Sequence, residues 1–438
     1  MRSSTWAVGG YGGSQVIRLA SNLILTRLLF PEAFGLMAII LVFMMGLAMF
    51  SDIGVSPAIQ QSKRGDDPDF LDTAWTIQVC RGGMLWLATC ALAGPISWFY
   101  AEPMLMQMIP VAGLSLLVTG LNPTRVHTAG RHLQIGRLTV LEMVSQVIGV
   151  IVMVALAWQF RSVWALLAGM LVTSVAKLIL TLFLLEGHRN RFRWEASAGK
   201  DLMHFGKWIF FSTICGFLVN QGDRAILGKY LTTDLLGIYS IGYFLASFPL
   251  QLGNTVVYRV LIPLYREKPP AASRSNFLRL RKMRFLVTGG LMFLTLLLAW
   301  AAPGLVNFLY DPRYVAAGGI AVLISFIVML QIIVLTYDRA ALAAGDSKSF
   351  FCLVAFRAVV QTAFFLIGAE LAGLPGALVG QLLSVLMAYP VFVWLARRHK
   401  AWDPLHDAVF ALIGLCFGLL ILWYNWNAVI SLLGLGMK

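Results

Sequence analysis

Apolar runs of about 20 residues recur from one end of this chain to the other, each long enough to cross a hydrocarbon core of roughly 30 Å as a helix. No other feature constrains the fold as much. A backbone in lipid must satisfy its own N–H and C=O groups, which leaves helices and closed barrels. The runs do not alternate with period two, which argues against a barrel. Only 12% of the 438 residues are charged, against about 25% in a soluble domain. The expected fold class is an all-α polytopic membrane protein.

Spans are expected at 5–28, 33–55, 74–98, 105–125, 138–158, 163–185, 207–228, 235–260, 285–309, 315–342, 351–371 and 375–395, with a thirteenth at 408–425. The tail Ala428 to Leu435 is apolar but too short to cross. The first run carries Arg18 at mid-length and lacks a small-residue cleavage site, so it reads as a retained helix rather than a signal peptide. With the N-terminus inside, Lys and Arg crowd the inward loops: Lys63 and Arg64, Arg125 to Arg137, Arg189 to Lys207, Arg266 to Arg284, Lys348, and Arg397 to Lys400. The outward loops hold only Arg161, Lys229 and Arg313. This asymmetry predicts a cytoplasmic N-terminus. It also accounts for most of the +14 net charge, so no nucleic-acid partner is expected. The basic segment 263–284 is a topology signal that can also touch anionic membrane lipid. Cys80, Cys90, Cys215, Cys352 and Cys416 fall inside spans without metal-type spacing and read as small packing residues. No metal site is expected. All six histidines fall in or beside inward loops, so none reads as an intramembrane proton relay.

No large soluble domain interrupts the runs. The inward connection after the sixth span divides the chain into an N-terminal lobe (1–186), a linker (187–206), a C-terminal lobe (207–398) and an extra helical segment (399–438). LTRLLFPEAFGLMAI (Leu25 to Ile39) matches LGKYLTTDLLGIYSI (Leu227 to Ile241), with Leu25 on Leu227, Arg27 on Lys229 and Gly35 on Gly237. Six spans return the chain to the same side. Two such lobes insert alike and are related by a pseudo-two-fold along the membrane normal, an arrangement used by transporters that rock around a central site.

Polar residues inside the spans carry the functional signal. Ser14, Gln15, Arg18, Ser21 and Asn22 recur at helical spacing and form one stripe. Glu142, Ser145 and Gln146 repeat the pattern in span 5, and Tyr243, Ser247, Gln251, Asn254 and Tyr258 in span 8. Span 7 carries Thr213, Asn220, Asp223 and Arg224. Ions at such depth face other helices or water, because lipid solvates them poorly. Arg18, Arg81, Lys177, Arg224, Arg259 and Arg357 outnumber Asp52, Glu142 and Asp223. A cavity lined by them is net positive and selects anions, and Arg suits phosphate through paired donors. The expected substrate contacts are Arg18, Arg81, Arg224, Arg357, Gln15, Asn22, Asn220 and Asn254. Asp52, Glu142 and Asp223 are candidates to bind a coupling ion, H+ or Na+. Arg27, Arg259 and Arg339 lie near span ends and are expected to snorkel. A structural Asp223–Arg224 pair and a Glu142–Arg357 pair between lobes are the plainer alternatives.

The stretches GSQVIRLASNLILTRLLFPEAFGLMAI, SDIGVSPAIQQ, NQGDRAILGKYLTTDLLGIYS and RAALAAGDSK resemble the Wzx-type polysaccharide transporters of the multidrug/oligosaccharidyl-lipid/polysaccharide exporter superfamily. The resemblance runs from about residue 5 to 395. It implies a flippase of the bacterial inner membrane, not an enzyme. Such a protein moves undecaprenyl-pyrophosphate-linked oligosaccharide to the periplasmic leaflet by alternating access, alongside other polysaccharide-assembly membrane proteins. The rivals are a drug/cation antiporter or peptidoglycan-precursor flippase of the same superfamily. A membrane polymerase or ligase is a rival of another class, and the short outward loops leave little room for its active site.

Overall fold

The computed structural model describes the backbone of residues 2–52 and 54–434, and the side chains of these except 2–8, 11, 61, 200–212 and 433–434. The secondary structure of the described residues is helical, with no strand among them. Two compact units divide at Phe217 and Leu218. The first holds α1 (Arg2–Leu28), α2 (Pro31–Phe50), α3 (Val55–Gln61), α4 (Pro68–Tyr100), α5 (Leu105–Gly120), α6 (Arg125–Arg131), α7 (Ile135–Phe160) and α8 (Trp164–Leu184). The division falls within α9 (Ala196–Tyr230). The second unit continues with α10 (Thr233–Val256), α11 (Ile262–Glu267), α12 (Arg274–Leu309), α13 (Ala316–Leu335), α14 (Ala340–Ala343), α15 (Ser347–Arg398), α16 (Pro404–Tyr424) and α17 (Trp426–Ile430). Among the described residues, nine helical stretches are long and apolar enough to cross a membrane, and α5 with α6, bent by 58°, makes a tenth if it is one span. The first and seventh expected spans form α1 and α9, whose side chains are described only in part. This is a multi-pass helical membrane protein. Trp98, Phe183, Phe308 and Leu371 are each at least 80% exposed, apolar surface that lipid covers.

Local chemistry sets the helix limits. Proline occupies the first turn of α2, α4 and α16, where its missing N–H costs nothing. Asp67, Thr232, Ser273, Asp346 and Asp403 each cap a helix by accepting from a backbone N–H of its first turn. The two spans expected at 351–371 and 375–395 are the arms of α15, which breaks at Ala372 and Gly373. Gly373 has φ 60° and ψ −138°, a conformation that needs glycine. The arms then run back against each other. A Cβ on Gly368 would stand 2.1 Å from the Gly376 carbonyl oxygen, and one on Gly380 2.1 Å from that of Phe364. Only glycine permits this approach.

In the first unit α4 packs on α5, α7 on α8, and α1 on α7; in the second, α10, α12 and α16 pack on α13. α13 is apolar all round and is buried on nearly every side, with Ile320, Val322 and Ile332 fully covered. The inward segment after α8 is extended and tied down. Arg191 N donates to Asp72 Oδ1 (3.0 Å), Glu195 N to Thr73 Oγ1 (3.0 Å), and Arg64 pairs with both Asp67 (2.6 Å) and Glu195 (2.7 Å). Of the five cysteines, Cys80, Cys90, Cys352 and Cys416 are exposed rather than packed, which corrects the sequence expectation: each sits on an outward helix face. The C-terminal tail forms only the short α17 and a 3-10 turn at Ser431–Gly434.

Candidate functional site

The first unit uses most of its expected site residues within its own packing. The polar stripes of α1 and α7 meet, because Ser14 Oγ donates to Gln146 Oε1 at 2.8 Å. Ser145 turns back on the Leu141 carbonyl, and Gln15 is buried. Arg18 lies exposed on α1 and Asn22 half-buried one turn later. Arg81, on α4, closes the end of α2: Nε donates to Ser51 Oγ at 2.9 Å and Nη2 to the Ala48 carbonyl. A guanidinium there meets the unpaired carbonyls and negative end of the helix dipole. Asp52 stands within electrostatic reach of Arg81 and accepts from Gly54 N at 2.9 Å. Glu142 is 64% exposed and pairs with Lys177 of α8 at 3.1 Å. Arg125, an inward-loop residue, is buried and donates to the Leu182, Leu185 and His188 carbonyls where α8 ends.

In the second unit the adjacent Asp223 and Arg224 do not bond to each other. Asp223 is buried and accepts from Tyr239 Oη at 2.7 Å. Arg224 lies over the Tyr243 ring at 4.4 Å and donates to Gln221 Oε1 at 3.0 Å. Arg357 forms no hydrogen bond or ion pair among the described residues, yet lies within electrostatic reach of Tyr243, Asp338 and Arg339. Asn254 accepts from Arg339 Nη2 at 3.0 Å, and Asn220 lies exposed on α9. Thus Asp223, Arg224, Asn254 and Arg357 come together in one polar column.

Sequence reasoning missed two members of that column. Arg339 was expected to snorkel, but its side chain is only 15% exposed and lies over the Tyr258 ring at 3.7 Å. The turn after α13 points it at α10 instead of the surface, and a ring face together with an amide repays its lost water. Asp338 lies beside it. A signal was present: Asp338-Arg339-Ala340 repeats the order Asp223-Arg224-Ala225. Tyr258 belongs to a π-helical turn, Val257–Leu261, that interrupts the helix after α10, a distortion frequent at functional sites. A second buried network was missed because His406 was read as a loop residue. His406 Nδ1 meets Asp407 Oδ1 and its Nε2 meets Thr288 Oγ1, both at 2.9 Å, while Tyr337, Tyr389 and Trp402 donate to Asp407 Oδ2. Every oxygen of Asp407 is satisfied, so this network joins α16 to α12, α15 and the turn after α13 rather than offering a ligand site.

Arg224, Arg339 and Arg357 therefore share the column with Asp223 and Asp338, leaving a cation in excess. A cation held at depth without a bonded partner is costly, and an anion relieves the cost. Arg presents planar, paired donors that match phosphate oxygens. Tyr243, Asn254 and Tyr258 add hydroxyl and amide groups suited to a polyhydroxylated ligand. Among the described residues no group of His, Cys, Asp and Glu could hold a metal ion.

A family model described as "Polysaccharide biosynthesis protein" matches residues 24–317. The chain is 23% identical over 264 residues to the succinoglycan biosynthesis transport protein ExoT of Rhizobium meliloti, covering 60% of this chain and 53% of that protein. It thus spans about half the length of that relative. It is 21% identical over 383 residues to the lipopolysaccharide biosynthesis protein WzxC of Escherichia coli, covering 86% of this chain and 77% of that one. The fold is similar to that of the lipid II flippase MurJ in an inward closed conformation, with a TM-score of 0.66, 10% identity, and coverage of 97% of this chain and 99% of that chain. The chain belongs to the polysaccharide biosynthesis protein family, and its resemblance to the Wzx-type transporters holds.

Proposed function

We propose that this protein is a flippase that carries a pyrophosphate-linked oligosaccharide on an undecaprenyl lipid from the cytoplasmic to the periplasmic leaflet by alternating access. The observation that carries the reading is Arg357, which forms no hydrogen bond or ion pair among the described residues and lies within electrostatic reach of Asp338 and, more weakly, of a second arginine, Arg339. Arg224, Arg357 and Asn254 engage the anionic head, while Arg18, Arg81, Gln15, Asn22 and Asn220 are further candidate contacts. The prenyl tail stays in lipid, and no bond is made or broken. Asp52, Glu142 and Asp223 are the candidate carriers of a coupling proton or sodium ion. The basic inward loops support a bacterial inner-membrane location with a cytoplasmic N-terminus. A cationic drug would meet like charge at Arg224 and Arg357, which disfavours an antiporter for such compounds. The test is leaflet transfer of a labelled prenyl-pyrophosphate sugar in inverted vesicles. Transfer that requires the protein supports the reading; equal rates with and without it refute it.

A further inference from the structure

Two near-copies of one pentad lie in the second unit: Asp-Arg-Ala-Ile-Leu from Asp223 and Asp-Arg-Ala-Ala-Leu from Asp338. The first lies near the end of α9, the second where α13 gives way to α14. Both arginines come to rest on tyrosines of one continuous run, α10 and its π turn: Arg224 on Tyr243 and Arg339 on Tyr258. Those rings are separated by about 22 Å along the run at ~1.5 Å per residue. Arg357 feels both ends, through Tyr243 at one and Asp338 and Arg339 at the other.

The two ends differ in what is left open. At the first, Asp223 is closed by Tyr239 and Arg224 by Gln221. At the second, Asp338 Oδ1 and Arg339 Nη1 are both buried without a hydrogen-bond partner. Their side chains approach only to 3.9 Å, Nε to Oδ1, too far for a hydrogen bond. An open acceptor beside an open cationic donor calls for a ligand that carries both a hydroxyl and an anionic oxygen. A sugar phosphate carries both.

We propose that the second unit holds two anion stations: an open loading station at Asp338–Arg339 and a closed one at Asp223–Arg224. At the open station Arg339 Nη1 donates to a phosphate oxygen, and Asp338 Oδ1 accepts from a hydroxyl of the attached sugar. This makes Asp338 a residue that senses the sugar rather than the lipid. The proposal deepens the flippase reading and rests on it. On the proposed orientation the open station lies at the cytoplasmic end of its helices, where such a substrate would load.

The test uses the whole protein in nanodiscs and two probes, farnesyl pyrophosphate and farnesyl-pyrophosphoryl glucose, with affinity read from binding isotherms. Arg339→Gln is expected to weaken both probes at least about tenfold, and both Arg339→Lys and Arg224→Gln to weaken them by less than that. Asp338→Asn is expected to weaken the glucose probe about tenfold and the bare pyrophosphate less than about threefold. Equal losses for Arg339→Gln and Arg224→Gln, or equal effects of Asp338→Asn on both probes, overturn the two-station assignment. Should Arg339→Gln fail to fold, Arg339→Lys and Asp338→Asn decide alone. Wild-type protein that binds neither probe sinks the flippase reading itself, an outcome distinct from the others.

Discussion

Arg81 and Arg125 in the first unit, and Arg224 and Arg357 in the second, are arginines that the sequence places within or beside apolar spans. Their surroundings differ. Arg81 and Arg125 spend their donors on carbonyls and a hydroxyl where α2 and α8 end. Arg224 instead lies against a ring and gives one donor to Gln221, and Arg357 bonds to nothing among the described residues. A guanidinium that closes a helix end has its geometry fixed by the backbone and few donors to spare. One held by an aromatic face keeps its paired edge available. Charge inside an apolar span therefore does not identify a binding residue; the atoms that meet its donors do.

The contrast can be broken most forcefully at Arg125. Arg125→Ala strips three carbonyls of their donor in a buried setting and is expected to cost about 3 kcal/mol of stability, seen as a lower midpoint of thermal unfolding in detergent. Arg357→Ala is expected to shift that midpoint little, since no bond is lost. Equal shifts would erase the distinction. Next in size is Gly376→Leu, whose Cβ meets the Gly368 carbonyl oxygen at 2.1 Å. Forcing the arms of α15 apart is expected to cost about 2–3 kcal/mol, read by the same melt, and an unshifted midpoint would mean that the arms are not held so close. Arg81→Gln is smaller, about 1 kcal/mol, because Arg81 is half-buried and water can reach the α2 end. An unchanged melt would show that the α2 end needs no cation.

The smallest effect concerns pH. Hydrogen bonds from Arg64 and then Ser197 hold the Glu195 carboxyl at about 2, well below its ordinary 4.5. Because the folded value is depressed, this pair stabilises the protein above about pH 4.5, and the contribution fades as pH falls toward 2. Glu195→Gln is expected to flatten that acid limb in pH-dependent melts while leaving the transition region of the second unit in place. An identical limb in wild type and variant would exclude Glu195 as its source.

Much of the fold was readable because apolar run length alone dictates spanning helices. The break at Gly373 was expected from the gap between the eleventh and twelfth runs. The bend between α5 and α6 was not, since hydropathy is blind to direction. Arg224, Arg357 and Asn254 stood out as polar residues at helical spacing on apolar spans. Arg339 did not, because a span-end arginine has two outlets, headgroups or a neighbouring ring, and only the tertiary position of Tyr258 selects between them. His406 escaped for a similar reason: in the first turn of α16, it reads as loop until Thr288 and Asp407 close around it.

The most direct test of the central claim, that the second unit presents an unpaired cation to a phosphorylated lipid, is leaflet transfer of the labelled prenyl-pyrophosphate sugar by Arg357→Ala in inverted vesicles, at matched amounts of folded protein. The account predicts a fall of at least about tenfold, equivalent to roughly 1.4 kcal/mol. Transfer at the wild-type rate would contradict it.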